Sequence, residues 1–394
     1  MPNYSAPGVY VVETPSAVKP IAGVGTSTAG FIGVSANIAA AAMPEKPGGG
    51  NYTQAPVKTP VLLTSWEDFK RNFGDFQAAN ATLAHAVYGF FNNGGTRCYV
   101  SRVAGGADEA ATNTDLIAAL DGFKAIDEIA LVAIPGVTNN TVQEALLSHC
   151  ESEFLQDRFA ILDGKQSLGA PTALTKEAIQ GGVRNSSYGA IYFPWIDVFD
   201  PVTKGAITVP PSGHIAGIFA RVDATRGVHK APANEVIRGA LNVKQLLSKQ
   251  DQAGLNAANI NIIRKFDGNI TVYGARTMAR DTEPEWKYIN VRRLFLFLRE
   301  SIDEGTQWVV FEPNDPGLWA KIERNVTAFL TNVWRDGALF GDTPEQAFYV
   351  RCDASTNPPE LRDLGQVVTE IGVAPVKPAE FVIFRISQWA GNGG

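Results

Sequence analysis

From about residue 60 to residue 275, short β-branched or aromatic runs alternate with helix-patterned segments, and this alternation limits the fold more than any other feature of the chain. Residues 60–63, 97–103, 129–134, 159–162 and 190–195 read as strands. Between them lie helices that the sequence punctuates clearly. Ser65 stands as an N-cap with Asp68 three residues on, a relative of the capping box. An amphipathic helix over 83–91 is closed by Asn92-Asn93-Gly94-Gly95. Further helices are expected over 142–154 and from Pro210-Pro211-Ser212 to about residue 222. Residues 260–265 and 269–274, split by Asp267-Gly268, read as a β-hairpin. Strands that alternate with helices imply βαβ units and an α/β sheet. Residues 37–59 hold Pro44, Pro47 and Gly48-Gly49-Gly50, which cannot sustain regular structure and read as a surface loop.

After Glu283-Pro284 the texture changes. Tyr288, Ile289, Val291, Leu294, Phe295, Leu298 and Ile302 share one helical face. A second long helix carries Leu318, Trp319, Ile322, Val326, Phe329, Leu330 and Val333, and ends at Asp336-Gly337. Between the two, residues 307–311 read as a short strand. Residues 347–352 read as another strand and 360–369 as a helix.

The two termini are strand-like. At the start, Pro7-Gly8 forms a turn into Val9, Tyr10, Val11 and Val12, with Pro15 and Pro20 stiffening the linker that follows. At the end lie Phe381, Val382, Ile383, Phe384, Arg385 and Ile386. Apolar ends of this kind need a sheet to join, either the chain's own or that of neighbouring copies.

Composition narrows the function. A net charge of −6 and no long Lys/Arg run argue against a nucleic-acid surface. The three cysteines, Cys98, Cys150 and Cys352, are widely spaced with no CxxC, which suggests reduced thiols in a cytoplasmic folding compartment. No signal peptide is read at the N-terminus, and no stretch approaches the ~20 apolar residues a membrane helix needs. Catalytic constellations are missing. His85, His149, His214 and His229 are scattered, with no HExxH and no Cys/His ligand cluster. Gly23-Val24-Gly25 resembles the start of a dinucleotide loop, but Thr28 stands where its third glycine belongs. Gly164-Lys165 lacks the rest of a P-loop, and no GxSxG is present. Neither a metal nor a cofactor is expected.

Several stretches together resemble the contractile tail sheath family of contractile-tailed phages, R-type bacteriocins and extracellular contractile injection systems. They are Tyr4 to Val11; Phe90-Phe91-Asn92-Asn93-Gly94-Gly95 with Cys98-Tyr99-Val100; Arg226 to Asn234; Tyr288 to Arg293; Phe311-Glu312-Pro313-Asn314-Asp315 with Leu318-Trp319; and Pro378-Ala379-Glu380-Phe381-Val382-Ile383. His229 departs from the aromatic that many relatives carry there. The resemblance implies an α/β (α+β) chain whose core domain of mixed sheet and long helices is formed by both ends, residues 1–22 and 277–394, around an inserted α/β domain at 23–276. It also implies a structural protomer, not an enzyme. This protomer would polymerise helically around an inner tail tube, meet baseplate and tail terminator or cap proteins, and contract. Assembly in the bacterial cytoplasm is expected, with no nucleic-acid partner and no direct membrane insertion. Val9 to Val12 and Phe381 to Ile386 would be exchanged between subunits as added strands, with Pro7, Gly8, Pro15 and Pro20 as turn and linker, and a polar segment such as 360–369 would attach to the tube. The alternative is a soluble α/β enzyme with an unrecognised site, which would present a deep pocket gathering polar residues.

Overall fold

A computed structural model describes residues 20–168, 174–383 and 385. Their backbone is organised by a nine-stranded mixed sheet. Its strands are β1 (Ala29–Val34), β2 (Val61–Leu63), β3 (Cys98–Val103), β4 (Leu131–Ala133), β5 (Phe159–Asp163) and β6 (Gly189–Phe193), joined later by β9 (Glu235–Val236), β11 (Ile260–Phe266) and β12 (Asn269–Val272). The order is β2-β3-β1-β4-β5-β6-β11-β12-β9, parallel from β3 through β11. Strands β7 (Ile196–Asp200), β8 (Gly205–Val209) and β10 (Ala240–Val243) form a separate antiparallel sheet.

Side chains alternate between the two faces of the large sheet, as the period of two requires. Phe31, Leu131, Phe159, Ile161 and Tyr192 enter one core; Ile32, Val132, Ala160, Leu162, Ile191 and Phe193 enter the other. The first face is covered by α1 (Trp66–Phe73), α2 (Ala81–Asn92) and α6 (Ser212–Arg226). The second is covered by α3 (Glu109–Ala119), α4 (Asn140–Glu151) and α7 (Lys249–Ala257), with the short α5 (Lys176–Gln180) beside it. Ser65 Oγ accepts from the Asp68 amide at 3.2 Å as the sequence predicts, but the Asp68 carboxylate turns to Thr64.

The expected amphipathic helix is α2, and it is buried nearly all round. Gly213 and Gly217 of α6 face Ala86 and Phe90 of α2, and a Cβ at either would collide with backbone. These glycines let the two helices approach until little of α2 reaches solvent.

A third core lies outside the large sheet. It joins Leu294 and Leu298 of α8 (Ile289–Thr306) to Trp319, Phe329 and Leu330 of α9 (Pro316–Arg335), and takes in Ile21, Val228 and Phe348. Helix α8 serves two cores, because Ile289 and Leu296 pack into the first. After α10 (Pro344–Ala347), β13 (Phe348–Arg351) pairs antiparallel with β14 (Glu370–Val373) in a two-stranded sheet.

Two expectations are corrected in this region. Residues 307–311 are not a strand: Gln307–Val309 is a 3-10 turn, and Phe311 sits at φ 70° with its ring fully exposed. The chain must reverse between two long helices here, and extended backbone cannot do that in so few residues. The helix expected over 360–369 shrinks to α11 (Pro359–Asp363), because Gly365 takes φ 71° and the β-branched residues beyond it lead into β14.

Candidate assembly interface

The strand-like termini were the sequence's candidates for function, and the fold determines where they attach. Val9, Tyr10, Val11, Val12, Pro7, Gly8 and Pro15 lie outside the described residues, as do Phe384 and Ile386. Pro20 is exposed on irregular backbone. Ile21 then enters the third core, packed against Gly305 of α8, where a Cβ would stand 2.7 Å from its side chain. Val24 N donates to Ser301 Oγ at 3.1 Å. Thr26 is tied in by Arg293, whose guanidinium donates to the Thr26 carbonyl at 2.9 Å and forms a buried ion pair with Asp223 at 2.5 Å. The N-terminal root is therefore fastened along α8, through Arg293, Ser301 and Gly305.

The C-terminal root is fastened near the start of the same helix. Beyond β14, Phe340 N donates to the Ala374 carbonyl and Val376 N to that of Ala338. Asn290 Nδ2 donates to the Val376 carbonyl at 3.2 Å. Glu380 then receives four hydrogen bonds. Arg276 donates through Nε at 2.7 Å and through a terminal nitrogen at 2.9 Å, Asn256 Nδ2 at 2.8 Å, and Tyr288 Oη at 2.9 Å. Burial opposes ionisation of this carboxyl, but the bonds from Arg276, Asn256 and Tyr288 outweigh it and bring its pKa down to about 2. Tyr288, immediately before α8, and Ser301 within it are 13 residues apart, so these two contacts lie about 20 Å apart along the helix axis.

Immediately past this anchor the chemistry reverses. Phe381, Val382 and Ile383 are 70%, 68% and 80% exposed and belong to no strand, and Arg385 is also exposed. An open groove of about 1100 Å³ runs beside residues 376–382, walled by Arg226, Lys230, Tyr273 and Tyr288. A smaller pocket of about 120 Å³ lies at the N-terminal root, lined by Asp127, Glu128, Asp157, Glu300, Glu304 and Arg293. Burial and the neighbouring charges of Asp157, Asp303, Glu304 and Asp127 push Glu300 up to about 7.

Of the histidines, His229 lines the C-terminal groove, and its carbonyl accepts from Asn290 Nδ2 at 2.8 Å. His85 faces Asp200 at 3.4 Å. His214 is buried against Gly89, and burial together with His85 pushes it down to about 3. Among the described residues no group of three or more His, Cys, Asp or Glu is arranged to hold a metal ion. None of their helices is long and apolar enough to cross a membrane.

Comparison with known proteins identifies this architecture. Residues 109–278 match the phage tail sheath protein central domain, and residues 281–388 match the phage tail sheath C-terminal domain. The contracted helical sheath of the anti-feeding prophage is 30% identical, with a TM-score of 0.75 over 98% of this chain and 99% of that one. The chain belongs to the contractile tail sheath family. A second sheath, that of the PVC extracellular contractile injection system in its contracted state, is 28% identical with a TM-score of 0.77, covering 99% of both chains. The tail sheath protein of Vibrio phage KVP40 is 29% identical over 178 residues, 44% of this chain and 26% of that protein. The match thus spans about a quarter of that longer relative. As a sheath protein the chain has a structural role.

Proposed function

We propose that this chain is a protomer that polymerises helically around an inner tube and shortens to drive that tube through a target envelope. Neighbours stay linked by exchanged terminal strands, Val9 to Val12 and Phe381 to Ile386. One observation carries the reading: three consecutive large apolar residues stand at 68–80% exposure directly after a residue held by four hydrogen bonds. A chain that anchors Glu380 and leaves the next three side chains in water gains from burying them elsewhere, at about 1.5–3 kcal/mol each when fully covered. The two-stranded β13–β14 sheet is the acceptor in this reading. With only two strands it is marginal alone and gains from further strands at its edges.

The domain division follows the same logic. Residues 1–22 and 277–394 form the core unit around the α8–α9 pair, and 23–276 form the inserted outer unit. The related structures include helical sheaths and the anti-feeding prophage baseplate, and we extend the same partners to this chain: further copies of itself, a baseplate, an inner tube and a terminating cap. Assembly takes place in the bacterial cytoplasm, and the task is mechanical rather than catalytic.

The test is negative-stain microscopy of the purified chain, alone and co-expressed with its tube protein. Long hollow helical polymers are expected, and chains lacking residues 1–15 or 381–394 should remain folded and unpolymerised. Normal polymers from the truncated chains, or none from the intact chain under either condition, would overturn the proposal.

A further inference from the structure

We propose that Glu380 is the fixed pivot of the C-terminal arm, the point from which the arm's reach and strand register on a neighbouring subunit are measured. This rests on the strand-exchange reading above and adds to it a positioning residue outside the strand itself.

The geometry marks a boundary one residue wide. Up to Glu380 the chain is tied to its own body: Val376 by main-chain and Asn290 contacts, and Glu380 by its carboxylate. The donors come from three separate elements. Asn256 is near the end of α7, Arg276 follows the β11–β12 hairpin, and Tyr288 immediately precedes α8. Lys287 stands further off at 3.7 Å. Arg276 is itself immobilised, since its Nη1 donates to the Asn256 carbonyl at 2.7 Å and its amide to Asn261 Oδ1 at 2.8 Å. Both carboxylate oxygens are used, and the fork of Arg276 admits one orientation. Three elements meeting at one side chain fix its position in the body frame. From Phe381 onward the described residues have no such tie.

A strand reads position in steps of about 3.3 Å and changes face with every residue. A root that could slide by one residue would present Val382 where Ile383 belongs. Anchoring at Glu380 removes that freedom while leaving residues 381 onward available to a neighbour. When bodies rotate, the bend is absorbed beyond this point and not at β14.

The experiment compares the full-length wild type, Glu380→Ala, Glu380→Gln and a chain lacking residues 381–394. Each is titrated for polymer formation by sedimentation, and polymers are imaged for the regularity of rise and twist. Monomer melting and hydrogen exchange of residues 376–380 are measured alongside. The pivot predicts an alanine variant that still folds, with monomer melting lowered by the loss of the largely buried Arg276 pair, and faster exchange at 376–380. Its assembly threshold should rise by about tenfold or more, or its polymers should have irregular twist. If the alanine variant fails to fold, the glutamine variant, which keeps the side chain's shape, is judged by the same criteria. If the truncated chain fails to polymerise while the Glu380 variants match wild type in threshold and helical regularity, the pivot is overturned and strand exchange stands. If the truncated chain polymerises normally, strand exchange itself is overturned.

Discussion

Replacing Phe381 and Ile383 together by serine should abolish assembly at working concentrations while leaving the monomer intact. The two residues are two apart, so in a strand they lie on one face. They are 70% and 80% exposed in the isolated chain, so about three quarters of each side chain remains to be buried. Full burial of a large apolar side chain contributes about 1.5–3 kcal/mol, so each site loses about 1–2 kcal/mol and the pair about 2–4 kcal/mol. At about 1.4 kcal/mol per factor of ten, the assembly threshold should rise roughly 30- to 700-fold. Because these side chains contact little in the monomer, its stability should change by no more than about 0.5 kcal/mol. Sedimentation across a concentration series gives the threshold, and urea unfolding of dilute protein gives the monomer term. An unchanged threshold would refute the reasoning. So would a monomer destabilised by several kcal/mol, because the residues would then be core in their own chain.

Three further outcomes test the body that carries the arms. Gly217→Ala should lower the melting temperature, because the added Cβ meets the Phe90 backbone and overpacking costs about 1–3 kcal/mol, more than the ~1 kcal/mol gained in helix propensity. Asp223→Ala should cost about 3–5 kcal/mol in denaturant unfolding, since it strands the buried Arg293 charge. Glu300 gives a pH signature. Its folded pKa of about 7 lies above the ordinary 4.5, so the folded state holds a proton that the unfolded chain has lost between those values. Stability should therefore fall as pH rises through that window, and Glu300→Gln should flatten the slope and add about 1 kcal/mol above pH 7 once solvent screening is allowed for.

Much of the body was legible because its signals are local. Strand-like runs alternating with helix-like ones predict an α/β sheet, and Phe31-Ile32 and Phe159 to Leu162 send successive side chains into its two cores. Helix α9 follows its period of 3.6 to the residue before Asp336-Gly337. Other elements were unread. Strands β7 and β8 and helices α3 and α7 carry weak apolar periodicity; Val367, Val368 and Ile371 carried a β-branched signal that the preceding helix-like run obscured. The reversal at Phe311 depends on where α8 ends, which no short window records.

The assembly interface divides along the same line. By itself the sequence determined that residues 9–12 and 381–386 are rich in β-branched and aromatic side chains, since β propensity and apolar content are properties of adjacent residues. It also determined that the middle of the chain is an α/β sheet. Only the tertiary structure decided where Val24 and Glu380 are tied to the body. Arg276 lies 104 residues from Glu380, and Ser301 lies 277 from Val24. Bonds over such separations depend on how α8 packs between two cores, which is a property of the folded chain and of no segment within it.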